Sequence, residues 1–254
     1  MNDNNFIIAE EYELPSLGKV YPEKVNPRIR LKSMTTQHEL KRLAPSERQY
    51  QNLCEIIDDC MIDDLGISAY DLCMADFMYV LHKLRVVTYG PLYRVVSSCP
   101  ICKSERSYDI NLDELEVTKY DADNFAELSQ FTLPKTGKRI KLMMQTPRMN
   151  DEALLREKEV QRKTKGQSTD SAFLFNLQMI IDTVDGQHLD IIKSEDFIRD
   201  LPMMDTNYII QKNQKLVESF GVKQQSELHC PICGLDYTSS FRLGQNFFRP
   251  DIDD

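Results

Sequence analysis

Hydrophobic and polar positions change period several times along the chain. The stretch "LPSLGKVYPEKVNPR" carries Pro15, Gly18, Pro22 and Pro27, which resist helix and predict an irregular to extended start. "RIRLKSM", from Arg28 to Met34, alternates polar and apolar residues and predicts a short strand. Thr36 followed by Glu39 forms a capping-box pattern that opens a helix to about Leu43, and Ser46 with Gln49 repeats it. The helix that follows places Leu53, Ile56, Ile57, Cys60 and Met61 on one face. After a break at Gly66 and Ser68, a second stripe runs through Cys73, Phe77, Val80, Leu81 and Leu84, and Tyr89-Gly90-Pro91 ends it.

The period then shortens. "LYRVVSS" and "RSYDINL" flank a tight turn and predict strand–turn–strand, and Phe131 to Met144 predicts a hairpin turning at Lys135 to Lys138. Met149 to Lys163 predicts a charged helix, mostly exposed, with Glu152/Arg156 and Glu159/Lys163 spaced as i,i+4 pairs. A polar connector, "TKGQSTD", leads to an amphipathic helix predicted over Ser171 to Val184. Two further helices are expected at about Glu195–Leu201 and Asp205–Ser219. A last strand–turn–strand spans "SELHC" to "LDYTSSFRL", and the acidic tail "RPDIDD" is expected to fray. The fold class is therefore α+β, a mainly helical body with short hairpins. We divide it into an N-terminal extended and helical region (1–95) and a ribbon-like region (96–254). The ribbon consists of 96–115 and 226–244, interrupted by a hairpin and helical insertion over 116–225.

Composition narrows the class. No apolar run approaches the roughly 18 residues of a membrane span. "MNDNNFIIAEEYELP" lacks the basic and apolar regions of a signal peptide, so a cytoplasmic location is expected. Seven cysteines, an odd number, do not make a disulfide framework. The net charge of −9 is unevenly spread. Gln49 to His82 holds seven acids and no Lys or Arg, whereas Lys135 to Lys165 holds ten Lys or Arg against four acids. Overall acidity argues against nonspecific nucleic-acid binding. The polarity fits docking to other proteins or to further copies of the chain.

Four of the cysteines share one pattern. "CPIC" occurs at Cys99–Cys102 and again at Cys230–Cys233, each at the tip of a predicted hairpin. Two C-x2-C turns facing each other complete a tetrahedral four-cysteine site, and soft thiolates select zinc for it. Pro100 and Pro231 pre-set the turns. Gly234 relieves backbone strain after the last cysteine, whereas Lys103 at the matching position does not. Four protein ligands leave no open position, so the ion would be structural and would tie residue 100 to residue 230, fixing the base of the insertion. An iron–sulfur cluster uses the same ligands and stays open; a thioredoxin-type pair, which needs a helix start, does not fit. His229 beside Cys230 reads as a strand side chain and not as an alternative ligand. Cys54, Cys60 and Cys73 fall on helical apolar faces and read as core.

No catalytic constellation emerges. Thr136-Gly137-Lys138 is a turn and not a phosphate loop, and the histidines are scattered. Asp59 and Asp63, one helical turn apart, form the best enzyme-like pair, as a magnesium site, but read better as a solvated acidic face. The expectation is that the chain is not an enzyme. Three stretches are candidate docking surfaces: the arm Glu13 to Pro27, the basic stretch Lys138 to Lys165, and the acidic helices between Glu55 and Asp76.

"ELPSLGKVYPE" (Glu13–Glu23), "IRLKSMTTQHE" (Ile29–Glu39) and "LRVVTYGPLY" leading into the first "CPIC" resemble, in that order, motifs of baseplate proteins from contractile-tailed phages of the T-even group. The resemblance covers mainly the first 110 residues, and the second cysteine pair extends it. It implies a non-enzymatic role in assembling the baseplate hub, as hub subunit or assembly factor. It also implies other hub proteins as partners, and a place in the host cytoplasm during assembly or in the virion tail. The alternative from another class is a zinc-ribbon protein that binds nucleic acid or serves transcription. The basic stretch favours that alternative, and the acidic balance opposes it.

Overall fold

The structure, a computed structural model, describes residues 10–163, 171–241 and 245–248. The connector "TKGQSTD" and the tail "RPDIDD" lie outside the described residues. Two hydrophobic cores, containing eight helices and five small antiparallel sheets among those residues, organise the chain.

The first core surrounds helix α3. Strands β1 (Glu11–Glu13) and β2 (Arg28–Arg30) pair antiparallel, and their period of two turns Tyr12 and Ile29 inward. Leu14 N–H then donates to Pro27 O at 2.8 Å. Leu14 and Ser16 are fully buried, so Glu13 to Pro27 is part of this core and not a free arm, which removes it as a strand available to a neighbour. Helix α1 (Thr36–Leu43) begins one residue earlier than its sequence pattern predicts. Thr35 is the cap residue, and its N–H donates to His38 Nδ1 at 2.9 Å. Glu39 instead pairs with Arg42 at 2.7 Å. Helix α2 (Gln51–Cys60) starts after the predicted Ser46 cap, because the buried Asp151 carboxylate accepts from Tyr50 N–H at 3.0 Å from across the chain. Ser46 Oγ only closes a short turn by accepting from Arg48 N–H. Helix α3 (Met74–Tyr89) stops at Gly90, whose φ of 85° a side chain would strain and whose N–H bonds Val86 O.

The second core is built mainly from the insertion. It draws on α4 (Ala122–Ser129), α6 (Ser171–Ile180), α7 (Ile191–Arg199) and α8 (Met203–Val217) around a sheet of order β6-β7-β8, with Cys73 from ahead of α3, while α5 (Pro147–Lys163) lies against α6. Strands β6 (Gln130–Thr132) and β7 (Arg139–Leu142) form the expected hairpin. The helix predicted to Val184 ends at Ile180, and Ile181–Val184 is strand β8, paired to β7. The reason is local. β-Branched Ile181, Thr183 and Val184 precede Asp185-Gly186, where φ values of 52° and 80° give a tight turn with both central residues left-handed. Asp185 also accepts from Arg139 N–H at 2.9 Å, locking the turn to β7.

The two ends of the insertion are fastened together. Strand β5 (Val117–Thr118) pairs with β9 (Gly221–Val222), and Lys223 N–H donates to Glu116 O at 2.9 Å. Gly221 presses on α3, where an added Cβ would meet Ala75 Cβ at 3.1 Å. Beyond residue 95, Ile110, Leu112, Leu115 and Phe241 nonetheless pack in the first core.

Part of the charge polarity is neutralised inside the chain. Asp63 pairs with Arg30, and Asp59 and Glu55 with Lys41. Asp71 takes both arms of Arg148 from the basic stretch, at 2.6 and 2.8 Å. Lys138 and Lys141 meet Asp185 and Asp182.

Candidate metal centre

Each cysteine pair sits between two strands that the sequence pattern dictates. Strand β3 (Leu92–Ser98) pairs with β4 (Glu105–Asn111), and β10 (Gln225–His229) with β11 (Asp236–Ser240). The two turns are built alike. Cys99 N–H donates to Ser104 O at 2.9 Å and Cys230 N–H to Leu235 O at 2.8 Å. Lys103 N–H then returns to Cys99 O and Gly234 N–H to Cys230 O. Both closing residues are left-handed, Lys103 at φ 59° and Gly234 at φ 71°. The lysine therefore adopts the glycine conformation at some cost in strain.

The hairpins face each other. Ser97 Oγ lies 2.9 Å from Ser239 Oγ, and Tyr237 O–H donates to Ser97 Oγ at 3.3 Å. This contact brings together the sulfurs that the sequence separates by more than a hundred residues. Cys99 Sγ is 3.6 Å from Cys233 Sγ, Cys102 Sγ is 3.6 Å from Cys230 Sγ, and all four lie within 4.8 Å of one another. Four sulfurs around one ion with ~2.3 Å bonds stand roughly 3.8 Å apart, so the spacing fits a tetrahedral thiolate site.

The thiols of the cluster are shifted in opposite directions. The Cys233 backbone N–H, then the Ser104 hydroxyl, push the Cys230 thiol down to about 6. Ser104 also lowers Cys102 below the ordinary thiol value. Cys233 receives the Leu235 backbone N–H, yet burial and the neighbouring sulfurs push it up to about 12. Hydrogen bonds to sulfur favour thiolates while neighbouring sulfurs oppose them, and a cation held by all four would offset that repulsion.

Other sequence candidates fall elsewhere. His229 Nδ1 sits 2.7 Å from Asp236 and outside the sulfur cluster. Cys54, Cys60 and Cys73 are core residues whose thiols burial pushes up. Asp59 and Asp63 are not one helical turn apart, because α2 ends at Cys60, and each is held by a base. Among the described residues the four cysteines are the single group placed to share a metal.

The motifs that carry the phage resemblance all converge on α3, the helix that leads into the first hairpin. Ser16 N–H donates to buried Asp76 Oδ1 at 3.0 Å, Tyr21 O–H donates to Oδ2 at 2.6 Å, and the Ser16 hydroxyl also donates there. Gly18 permits this clamp, since an added Cβ would meet Val25 O at 2.6 Å. Met34 N–H donates to Thr88 Oγ1 at the other end of α3. Buried Arg85 donates to Gly90 O at 2.7 Å and Leu92 O at 2.9 Å, setting the direction in which β3 leaves. Sequence reasoning missed these buried polar residues because their partners lie 5 to 60 positions away. No curated protein and no solved structure matches the chain. The family model described as "T4 bacteriophage base plate protein" matches residues 7–249, nearly the whole length, and the chain belongs to that family.

Proposed function

We propose that this baseplate protein is a non-enzymatic morphogenesis protein acting in assembly of the baseplate hub, as hub subunit or assembly factor, and that its four cysteines hold a structural zinc. The family match over residues 7–249 carries the reading. The sulfur geometry supports its second half, since soft thiolates in a tetrahedron select zinc. Cys99, Cys102, Cys230 and Cys233 would fill every position of the ion, so its contribution is mechanical: it joins the β3–β4 and β10–β11 tips. The acids that offered a magnesium alternative are engaged with Arg30 and Lys41. Partners are then other hub proteins, met in the host cytoplasm and, for a retained subunit, in the tail.

Two measurements test this. Metal analysis of purified protein is expected to return one zinc per chain, and iron in its place would reassign the ion. Phage deprived of this chain is expected to accumulate tails without complete hubs, and normal baseplates in electron micrographs would sink the hub role. Mass spectrometry of purified particles against lysate separates subunit from assembly factor.

A further inference from the structure

The two cysteine turns share their backbone bonds but not their side chains. Ser104 in the first stands where Leu235 stands in the second, since Cys99 N–H donates to Ser104 O and Cys230 N–H to Leu235 O. Leucine offers a sulfur no hydrogen bond, whereas a hydroxyl has one proton to give. Ser104 Oγ lies 3.1 Å from Cys102 Sγ in its own turn and 3.6 Å from Cys230 Sγ in the other. Those two sulfurs are 3.6 Å apart, so the hydroxyl spans one edge of the cluster and bridges both hairpins. Among the described residues it has no other partner. Cys99 and Cys233, also 3.6 Å apart, form the opposite edge, and no side-chain hydroxyl reaches it among the described residues. Against a thiol either atom can donate. Against a thiolate, which has no proton, the hydroxyl must be the donor.

We propose that Ser104 is a positioning residue of the four-cysteine centre, its hydroxyl holding one sulfur from each hairpin ready for the cation and tempering the electron density those two sulfurs donate. The inference rests on the reading of the four cysteines as a metal site and adds a residue that the C-x2-C pattern does not contain. Side chains that hydrogen-bond to metal ligands typically contribute roughly ten- to hundredfold in metal affinity. The effect falls on one edge alone, because the second turn carries Leu235 at the matching place.

Cobalt(II), which takes tetrahedral thiolate sites and absorbs visible light, is the probe. The full chain is loaded with Co²⁺ under reducing conditions and compared with Ser104→Ala and Ser104→Thr. The native chain is expected to show the d–d bands of tetrahedral cobalt and a sulfur-to-cobalt charge-transfer band. In Ser104→Ala the charge-transfer band should move to longer wavelength, because a sulfur without its hydrogen bond gives up electron density more readily. Affinity for Co²⁺ and Zn²⁺, read by competition with a coloured chelator, should fall about tenfold. Ser104→Thr keeps the hydroxyl and should restore both. A role confined to folding of the turn would leave the band in place. An unmoved band or undiminished affinity in Ser104→Ala, or a threonine variant that behaves like alanine, would overturn the role of Ser104 and leave the metal reading standing. A native chain without the tetrahedral cobalt spectrum would overturn both.

Discussion

Lys103 and Gly234 occupy the same position in the two cysteine turns and share a left-handed backbone, but only one is suited to it. Lys103→Gly should therefore stabilise the protein by about 1 kcal/mol, read from urea unfolding of the metal-loaded chain. A second residue-scale device is Asp205, fully buried at the start of α8. Burial pushes its carboxyl up, but the backbone N–H groups of Lys135 and Thr136, each at 2.9 Å, and the Thr136 hydroxyl at 2.8 Å outweigh it and hold the group below its ordinary value. A depressed acid contributes stability that is present above the unfolded value, near pH 4, and is lost as pH falls through the folded one. Asp205→Asn should cost roughly 1–3 kcal/mol at neutral pH, with the gap to the native chain shrinking below about pH 4. Equal loss at every pH would show that the charge is irrelevant.

At the scale of elements, the sequence was most legible where a turn and its flanks agree. Both CPIC hairpins and the Lys135–Lys138 turn carry period-two flanks around turn residues, and each folds as read. Legibility failed where the deciding partner is remote. The Tyr50 cap comes from Asp151, and the Glu13–Pro27 stretch is held by Asp76 and the first core. At Ile181–Val184 two local signals compete, and the Asp185-Gly186 hairpin turn overrides the helical period that runs up to it. The β5–β9 pair bears on what a metal at the four cysteines would add. The insertion has a backbone closure of its own and a core that it shares with only a few residues outside it, Cys73 among them, so its base is expected to hold without the cysteines. After chelation, amide exchange should accelerate in the tips of β3–β4 and β10–β11 while β7, α8 and the β5–β9 pair keep their protection. Simultaneous loss across the insertion would contradict this division.

For the whole molecule, internal ion pairs take up part of the contrast between acidic and basic stretches. Arg148 with Asp71 ties one stretch to the other, and Lys138 and Lys141 are engaged at the sheet edge. Arg139 carries no ion pair among the described residues, which makes it the cleaner probe of the basic surface. Arg139→Glu is expected to weaken hub assembly while changing stability by less than about 0.5 kcal/mol; unchanged assembly would remove that surface as a contact. The small antiparallel pair at the foot of the insertion also shortens the loop that the four-cysteine cluster has to close. Once β5 and β9 have zipped, the chain still to be closed between Cys102 and Cys230 shrinks from 127 residues to about twenty. That shortening lowers the closure entropy by roughly 1.5 kcal/mol. A metal bound by the four cysteines would then be captured late and locally, by two turns already held near each other.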